Sequence, residues 1–427
     1  MYLGGNISAS AVPLLLLPIL TRSLEPSEYG QTVSFTILIA FWQTIIGLNT
    51  QAAIGVYWFR EPQAIGEYGS AILLVIGATG LMGIIASPVL IKGVMRASIS
   101  NTFAALAVVV AMMNAIVQCR VSLWQAKQKV KSVVALQIGS ALINISTSLA
   151  LVTAFHLGAS GRNLGVLVSS MLMAVISVVT MVRNLEMKCS FDIVKIKTLV
   201  VYGFPLVFHS LAAFILGTND RWMVAAILTP EELGIYGATA QIGSAMFLFA
   251  DAFVKAYTPW VYDRLKGNTV QDKFRVVGSI YIAIPSFILV ALCGLGATLL
   301  AAKMFLGNRF QGGGHLLPAI LFGGVMNASY MCFAPLYFYS GKTKLLASIT
   351  VISAGVGSVV SYFLTWRFGM IGAASGSAIT WSLLAIGNLS VAVRTFDLPW
   401  KSTRQSLQEW YTFRVPTETT SGSSGVK

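Results

Sequence analysis

Six side chains able to bind charged or hydroxylated ligands lie in or beside long apolar runs of this 427-residue sequence. Only 10% of the residues are charged and 56% are hydrophobic, so each such side chain is conspicuous. A charge within an apolar membrane span costs about 2.5–3.5 kcal/mol on insertion scales, and it usually faces a cavity or a partner. The candidate binding residues are Arg22, His209, Asp220, Arg221, Asp251 and Lys255.

The Asp220-Arg221 pair lies well inside an apolar run. A planar guanidinium can hold a phosphate or an acidic sugar with two parallel hydrogen bonds, with Asp220 fixing the direction of Arg221. The alternative is a pair that satisfies itself near the outer end of a tilted helix. Both interpretations stay open from the sequence.

The remaining candidates each have a structural alternative. Asp251 and Lys255 are four residues apart and share a helix face, which predicts an ion pair or a Lys255 ammonium that attracts pyrophosphate at the inner mouth. His209 precedes Asp220 by about three helical turns, so it either relays protons or packs by hydrogen bonding. Arg22 ends an apolar run and is most simply an interfacial residue.

Runs of roughly 20 apolar residues recur along the whole chain, which is the length that a hydrocarbon layer requires of a spanning helix. The mean hydropathy of +0.76 agrees with an all-α integral membrane protein. The predicted spans cover residues 2–21, 31–54, 70–91, 102–123, 133–155, 164–182, 203–227, 234–257, 276–300, 316–338, 345–366 and 370–393. The opening run, without a basic segment before it, is interpreted as the first span and not as a cleaved signal peptide.

The net charge of +14 comes from lysines and arginines in the short connections between spans, which argues for topology signals and against nucleic-acid binding. Most of the 29 basic residues fall on the side that holds the N-terminus. This bias predicts that both termini are cytoplasmic. The sequence has no phosphate-binding glycine loop, nucleophile elbow or metal-ligand cluster, so we expect neither an enzyme nor a cofactor.

Two motifs occur twice, nearly half a chain apart. The pattern Leu-x-Pro-x-Glu-x-Gly ends at Gly30 and again at Gly234. Three glycines, Gly158, Gly161 and Gly165, recur with the same spacing as Gly369, Gly372 and Gly376. The repetition predicts two six-helix bundles in the same orientation, at residues 1–198 and 199–393, with a cleft between them. The remaining segment, 394–427, is predicted to be a cytoplasmic tail, largely disordered after one short amphipathic stretch.

Several segments resemble the O-antigen and polysaccharide flippases of bacteria. They are the run from Leu17 to Gly30, Gly203-Phe-Pro-Leu-Val-Phe-His209 followed by Asp220-Arg221, and then Leu233-Gly-Ile-Tyr236 and Thr258-Pro-Trp-Val-Tyr262. The resemblance extends to about residue 393. One departure is the direct start at Met1-Tyr-Leu, where family members usually carry a basic cytoplasmic segment.

The resemblance implies membership of the multidrug and oligosaccharidyl-lipid exporter superfamily. It implies a flippase of the bacterial inner membrane that moves undecaprenyl-pyrophosphate-linked oligosaccharide to the periplasmic leaflet by alternating access. Its implied partners are that lipid-linked substrate, membrane lipid, a polysaccharide polymerase and a chain-length regulator.

Two other functions stay open from the sequence. A multidrug exporter of the same architecture would be expected to line its cleft with acidic groups, against which Arg221 argues. A membrane polysaccharide polymerase would need larger loops outside the membrane than the short outer connections predicted here. A channel or scaffold is disfavoured by the duplication.

Overall fold

The computed structural model describes residues 2–94, 100–188, 191–267 and 269–414, and those residues form helices and short connections without a strand. Side chains are described for residues 12–89, 100–188, 191–267 and 269–412. The helices are α1 Tyr2–Ser23, α2 Pro26–Arg60, α3 Ile65–Val94, α4 Asn101–Ala126, α5 Val130–Ala154, α6 Gly158–Arg183, α7 Ile193–Ile227, α8 Pro230–Gly267, α9 Val270–Phe305, α10 Asn308–Tyr339, α11 343–368, α12 370–395 and α13 Thr403–Arg414.

The predicted count of twelve spans agrees with these helices. Within the described residues, 10 helices are long and apolar enough to cross a membrane. One of them, Thr343–Thr395, has 53 residues and breaks at Gly369, where φ is +62°, so it supplies the two predicted spans α11 and α12. The 22-residue helix α1 completes the set. The predicted class of all-α membrane protein is confirmed.

Local sequence explains where the helices begin. Pro26 occupies the first turn of α2, where its missing N–H is not needed, and the Glu28 carboxylate accepts a hydrogen bond from the Glu25 amide at 3.0 Å. The Asp192 carboxylate caps α7 by accepting from the amides of Val194 and Lys195.

Helix α2 is interrupted at Gly47, Leu48 and Asn49, which all have positive φ. The sequence analysis predicted one continuous span there. The Gly47 amide donates instead to the Thr79 hydroxyl at 3.0 Å, and the Thr50 hydroxyl donates to the Gly47 carbonyl at 2.6 Å. Side chains therefore satisfy the backbone groups that the break releases, as a broken helix at membrane depth requires.

The described chain forms two compact units. The first comprises Met1–Ile242, Thr298–Ala319 and Ser358–Ser377, and the second comprises Gly243–Ala297, Ile320–Gly357 and Ala378–Lys427. In the first, α1 packs on α5, α4 packs on α2, α3 and α6, and α7 packs on α2 and α3. The core of the second unit includes several aromatic rings, and Phe253 is in ring contact with both Tyr257 and Phe287.

Large apolar side chains are exposed on many of these helices, as lipid contact requires. Ile85, Phe363 and Trp366 are examples, with more than half of each side chain accessible. The predicted amphipathic stretch after residue 401 is helix α13. The predicted disordered segment from residue 415 lies outside the described residues.

Candidate binding site

The two copies of the Leu-x-Pro-x-Glu-x-Gly motif meet at the start of α2 and of α8. A Cβ atom placed on Gly30 would overlap the carbonyl oxygen of Pro230, and one placed on Gly234 would overlap the carbonyl oxygen of Pro26. The contact is reciprocal, as in an interface between two related surfaces. Only glycine permits this approach, so the duplicated motif brings α2 and α8 together at this end of the first unit.

A cavity of about 190 Å³ lies beside this contact, within the first unit. Arg162 from α6 and Arg221 from α7 both line it. We call it the arginine cavity. Its other lining residues are Pro13, Leu20, Tyr29, Thr32, Val33, Thr36, Ile37, Ala40, Thr218, Gly237 and Gln241. The lining contains two positive charges and no carboxylate, which favours an anion.

Side chains of α5 hold Arg162 in place. Its guanidinium donates to the Asn144 Oδ1 and to the Ser148 Oγ, each at 2.6 Å. Gly165, one turn along α6, brings the two helices close enough for these bonds, because a Cβ there would overlap Ser148. Neutral partners orient the guanidinium and leave its charge uncompensated.

Arg221 and Asp220 have separate surroundings. The Tyr236 hydroxyl, which is fully buried, donates to the Asp220 carboxylate at 2.8 Å. No ion pair joins Asp220 to Arg221 among the residues that the structure describes. Arg221 lines the cavity, whereas Asp220 does not. The hydroxyl of Tyr236 therefore positions the carboxylate that we predicted to orient Arg221.

An aromatic cluster fixes α7 against α2 beside the cavity. The rings of Phe41, Phe214 and Trp222 contact one another with centroid separations of 5.6–5.8 Å. Trp222 adjoins Arg221 in sequence. The ring packing therefore fixes the position of this part of α7, and with it the position of the Arg221 guanidinium at the cavity.

The structure does not bring all the predicted site residues together. His209 is exposed and does not line the arginine cavity. Asp251 and Lys255 belong to the second unit, where the Lys255 ammonium donates to the Asp251 carboxylate at 2.5 Å. Both side chains are more than a third exposed, which limits the strength of the pair.

Arg22 lies in a second cleft of the first unit, at the α1–α2 connection. Its guanidinium donates to the Met304 carbonyl at 3.0 Å. Lys303 and Arg309 line the same cleft, and Arg309 pairs with Glu25. Arg22 is thus one of three basic residues that line this cleft with a single carboxylate.

The sequence analysis did not select Arg162 as a site residue. The repeat contained the signal that would have done so. The fourth residue after Gly158 is Arg162, whereas the fourth after Gly369 is Ala373. The same comparison sets Asp220 and Arg221 against Leu16 and Leu17 in the first copy.

Charges at the other end of the first unit are paired. Glu186, after α6, accepts from both Arg120 and Lys127, and it is almost fully buried. Lys195 pairs with Glu61 between α2 and α3, and this hydrogen bond lowers the pKa of the Glu61 carboxyl below its usual value. Each of these basic groups has a carboxylate partner, unlike the arginines of the cavity. Within the described residues, no group of three His, Cys, Asp or Glu side chains is placed to hold a metal.

The family of polysaccharide biosynthesis proteins matches residues 1–263 of the chain, which is more than half of its length. The chain belongs to this family. The resemblance found in the motifs is therefore confirmed at the level of the family.

Two Haemophilus influenzae proteins are relatives of this family member. An uncharacterised membrane protein is 26% identical over 366 residues, covering 83% of this chain and 86% of its own length. A protein of the Lsg locus is 24% identical over 367 residues, covering 83% and 87% respectively.

Solved structures show the same fold. The lipid II flippase MurJ in an inward closed conformation has a TM-score of 0.73 at 15% identity, covering 95% of this chain and 89% of that one. An inward-facing multidrug resistance transporter of the MATE family and MOP superfamily has a TM-score of 0.71 at 14% identity, covering 90% and 94%. This family member is thus a multi-pass membrane protein with the fold of MOP-superfamily transporters.

Proposed function

We propose that this protein is a flippase that moves an undecaprenyl-pyrophosphate-linked oligosaccharide, an O-antigen or other surface polysaccharide unit, from the cytoplasmic to the periplasmic leaflet. The observation that carries the proposal is the arginine cavity, which Arg162 and Arg221 line without any carboxylate. Membership of the polysaccharide biosynthesis family supports a sugar-linked substrate.

The chemistry of the two arginines suits a diphosphate. A guanidinium stays charged at all physiological pH values and donates two parallel hydrogen bonds to a phosphate. Its interaction with an anion is stronger inside a bundle than in water, because the surrounding dielectric is lower. The diphosphate lies between Arg162 and Arg221 in this proposal, while the polyprenyl chain remains in lipid.

The direction of transport follows from the predicted topology. The excess of basic residues on the side of the N-terminus supports a topology with both termini in the cytoplasm of a bacterium and the protein in its inner membrane. The predicted halves, 1–198 and 199–393, rock to expose the head group to alternate sides. Lys255, paired with Asp251, attracts the diphosphate at the inner mouth, and the delivered unit passes to a polymerase and a chain-length regulator.

The lining of the cavity disfavours a multidrug exporter of the same fold. An amphipathic cation entering this site would meet two guanidinium groups and no carboxylate, and like charges repel strongly at low dielectric. The Asp220 carboxylate is bound to Tyr236 and does not line the cavity.

The proposal is tested by deleting the gene in its source bacterium and measuring how much undecaprenyl-linked oligosaccharide is accessible on each side of the inner membrane. We expect the unit to accumulate on the cytoplasmic side and to clear when the wild-type gene is restored. Arg221→Ala should fail to clear it, and Arg221→Lys should clear it only in part, because an ammonium lacks the planar fork.

Arg183→Ala provides the matched control, because Arg183 is an exposed arginine at the end of α6 that does not line the cavity. It should restore transport fully. Normal surface polysaccharide in the deletion strain, together with altered drug tolerance, would replace this proposal with the exporter. Units that reach the periplasm and stay unpolymerised would indicate a polymerase.

A further inference from the structure

Another cavity of the first unit, with a volume of about 330 Å³, adjoins Arg162. Side-chain amides line it from three helices: Gln43 of α2, Asn114 and Gln118 of α4, and Gln137 and Asn144 of α5. We call it the amide cavity. Its other lining residues are Val12, Pro13, Val117, Val121, Leu136, Ser140, Ala141 and Arg162.

The amides are arranged as stripes that face the cavity. Asn114 and Gln118 are four residues apart on α4, and Gln137 and Asn144 are seven apart on α5, so each pair shares one helix face. Amides within apolar spans are unfavourable unless they bind something, because lipid offers them no hydrogen bonds. Asn144 already accepts from Arg162. Among the described residues no hydrogen bond is made by the side chains of Gln43, Asn114 or Gln118, so these three amides on one cavity indicate a polar ligand.

The second copy of the repeat lacks an amide at two of these positions. The residue that corresponds to Gln43 is Phe247, at the same distance from the duplicated proline. The residue that corresponds to Asn144 is Gly357, which precedes Ser361 as Asn144 precedes Ser148. Helix packing in the second copy is thus compatible with no amide at either position, so the fold of a repeat does not require them.

The chemistry of the lining selects uncharged sugars. An amide both donates and accepts, which matches sugar hydroxyls and N-acetyl groups. Arg162 is the one charged residue of the lining, and no carboxylate accompanies it. A drug cation gains nothing from this surface, and an acidic sugar would find a single positive partner.

Arg162 connects the two cavities. It lines both of them, as does Pro13, and it donates to the Asn144 Oδ1 at the edge of the amide cavity. In a lipid-linked oligosaccharide the first sugar is bonded directly to the diphosphate. A diphosphate held by Arg162 and Arg221 therefore places that sugar at the entrance of the amide cavity.

We propose that the amide cavity is a sugar subsite that binds the neutral residues next to the diphosphate and selects the substrate by them. This inference rests on the proposed function. Gln43 and Gln118 are exposed to the cavity, and the described part of the chain shows no hydrogen bond to either side chain, so they are available to a ligand.

The test uses the purified full-length protein in lipid nanodiscs and two probes. One is undecaprenyl pyrophosphate, and the other is the same lipid carrying the native oligosaccharide extracted from the deletion strain. We expect the wild type to bind the glycosylated lipid more tightly. Gln43→Leu combined with Gln118→Leu should weaken binding of the glycosylated lipid by about tenfold per lost amide. Binding of undecaprenyl pyrophosphate should not change.

Three comparisons make the result decisive. Gln408→Leu, an exposed glutamine on α13, should bind both probes like the wild type. Arg221→Ala should bind neither lipid. If it binds both lipids normally, the proposed function is wrong, and the sugar subsite that rests on it is wrong as well. The single variant Gln43→Met guards against misfolding of the double variant, and its unfolding temperature is measured beside it. Equal binding of the glycosylated lipid by wild type and amide variants, or equal loss of both probes in folded variants, would overturn the sugar subsite.

Discussion

The first copy of the repeat and the second copy share backbone contacts but differ in charge. In each copy two glycines of the last helix pack against the end of the helix before it: Gly161 and Gly165 against Leu151 and Ser148, and Gly372 and Gly376 against Leu364 and Ser361. The charged residues, in contrast, are not repeated between the two copies. Arg162 of the first copy corresponds to Ala373, and Arg221 of the second corresponds to Leu17.

The difference separates two tasks. Close helix packing depends on missing Cβ atoms, so it recurs wherever the glycines recur. Ligand binding depends on side chains, and each copy contributes one arginine that its counterpart does not have. The cavity is asymmetric although the scaffold around it is repeated.

The largest effect is expected when the charges of one copy are replaced by the residues of the other. Arg162→Ala and Arg221→Leu should each lower transport by about a hundredfold or more, since each removes charge-assisted hydrogen bonds to an anion. The rate at which the deletion strain clears its lipid-linked unit measures this. Near-normal transport in either variant, at wild-type protein levels, would mean that the asymmetry has no role in function.

A smaller effect tests the contact between the two motifs. Gly30→Ala and Gly234→Ala should each destabilise the protein by about 1–3 kcal/mol and by similar amounts, because their backbone contacts are reciprocal. Gly77→Ala and Gly139→Ala are matched controls, with no atom within 4 Å of the added methyl group, and helix propensity predicts no loss of stability. Thermal unfolding in detergent measures all four. Very unequal losses at Gly30 and Gly234 would contradict the reciprocal contact.

Two corresponding glycines should respond differently to alanine. Gly158 and Gly369 both have positive φ, at +55° and +62°, so each substitution carries a backbone penalty of about 1–2 kcal/mol. A methyl group on Gly158 would also overlap the Glu28 carboxylate, whereas nothing lies within 4 Å at Gly369. Glu28 caps α2, so its displacement adds about 1 kcal/mol. Unfolding midpoints that fall equally for the two variants would show that Glu28 adapts without loss.

The smallest change in stability is expected when a carboxylate is neutralised at the α2–α3 connection or at its counterpart between α8 and α9. Glu61 has a lowered pKa because Lys195 donates to it, so its contribution is present near neutral pH and lost as the pH falls through the folded-state pKa. With 44% of its side chain exposed, the Glu61 contribution should be a few tenths of a kcal/mol.

Asp272, in the second copy, contacts Arg264 and Arg275 and is only 11% exposed. Asp272→Asn should therefore destabilise the protein more than Glu61→Gln does, when unfolding is measured at pH 7. The Glu61→Gln variant should also lose less stability than the wild type between pH 7 and pH 4. If Glu61→Gln lost more stability at pH 7 than Asp272→Asn, the expected order of the two ion pairs would be wrong.

Much of the fold follows from local sequence. The span boundaries came from apolar length, and the break between α11 and α12 came from Gly369. The break within α2 was missed, because Gly47 lies in an apolar run and the hydroxyl groups that stabilise the break come from Thr50 and Thr79. Apolar periodicity does not report such bonds.

The candidate site was partly predictable. Arg221 was selected because a charge within an apolar span is unfavourable unless it has a partner or a ligand, and the sequence alone shows its position. Arg162 lies at the edge of a span, where a charge is unremarkable, so it was not selected. Its importance is a matter of position, since it reaches the cavity of Arg221 and is held by Asn144 from a different helix.

The sequence by itself determined that this chain is a membrane protein of twelve spans with a duplicated scaffold, because apolar length, charge placement and motif repetition are all local properties of the chain. Only the tertiary structure decided that two arginines share a cavity, that Asp220 bonds to Tyr236, and that amides from three helices meet beside Arg162. The physical reason is that these associations join residues distant in sequence. They depend on how one helix is rotated against the next, which hydropathy does not specify.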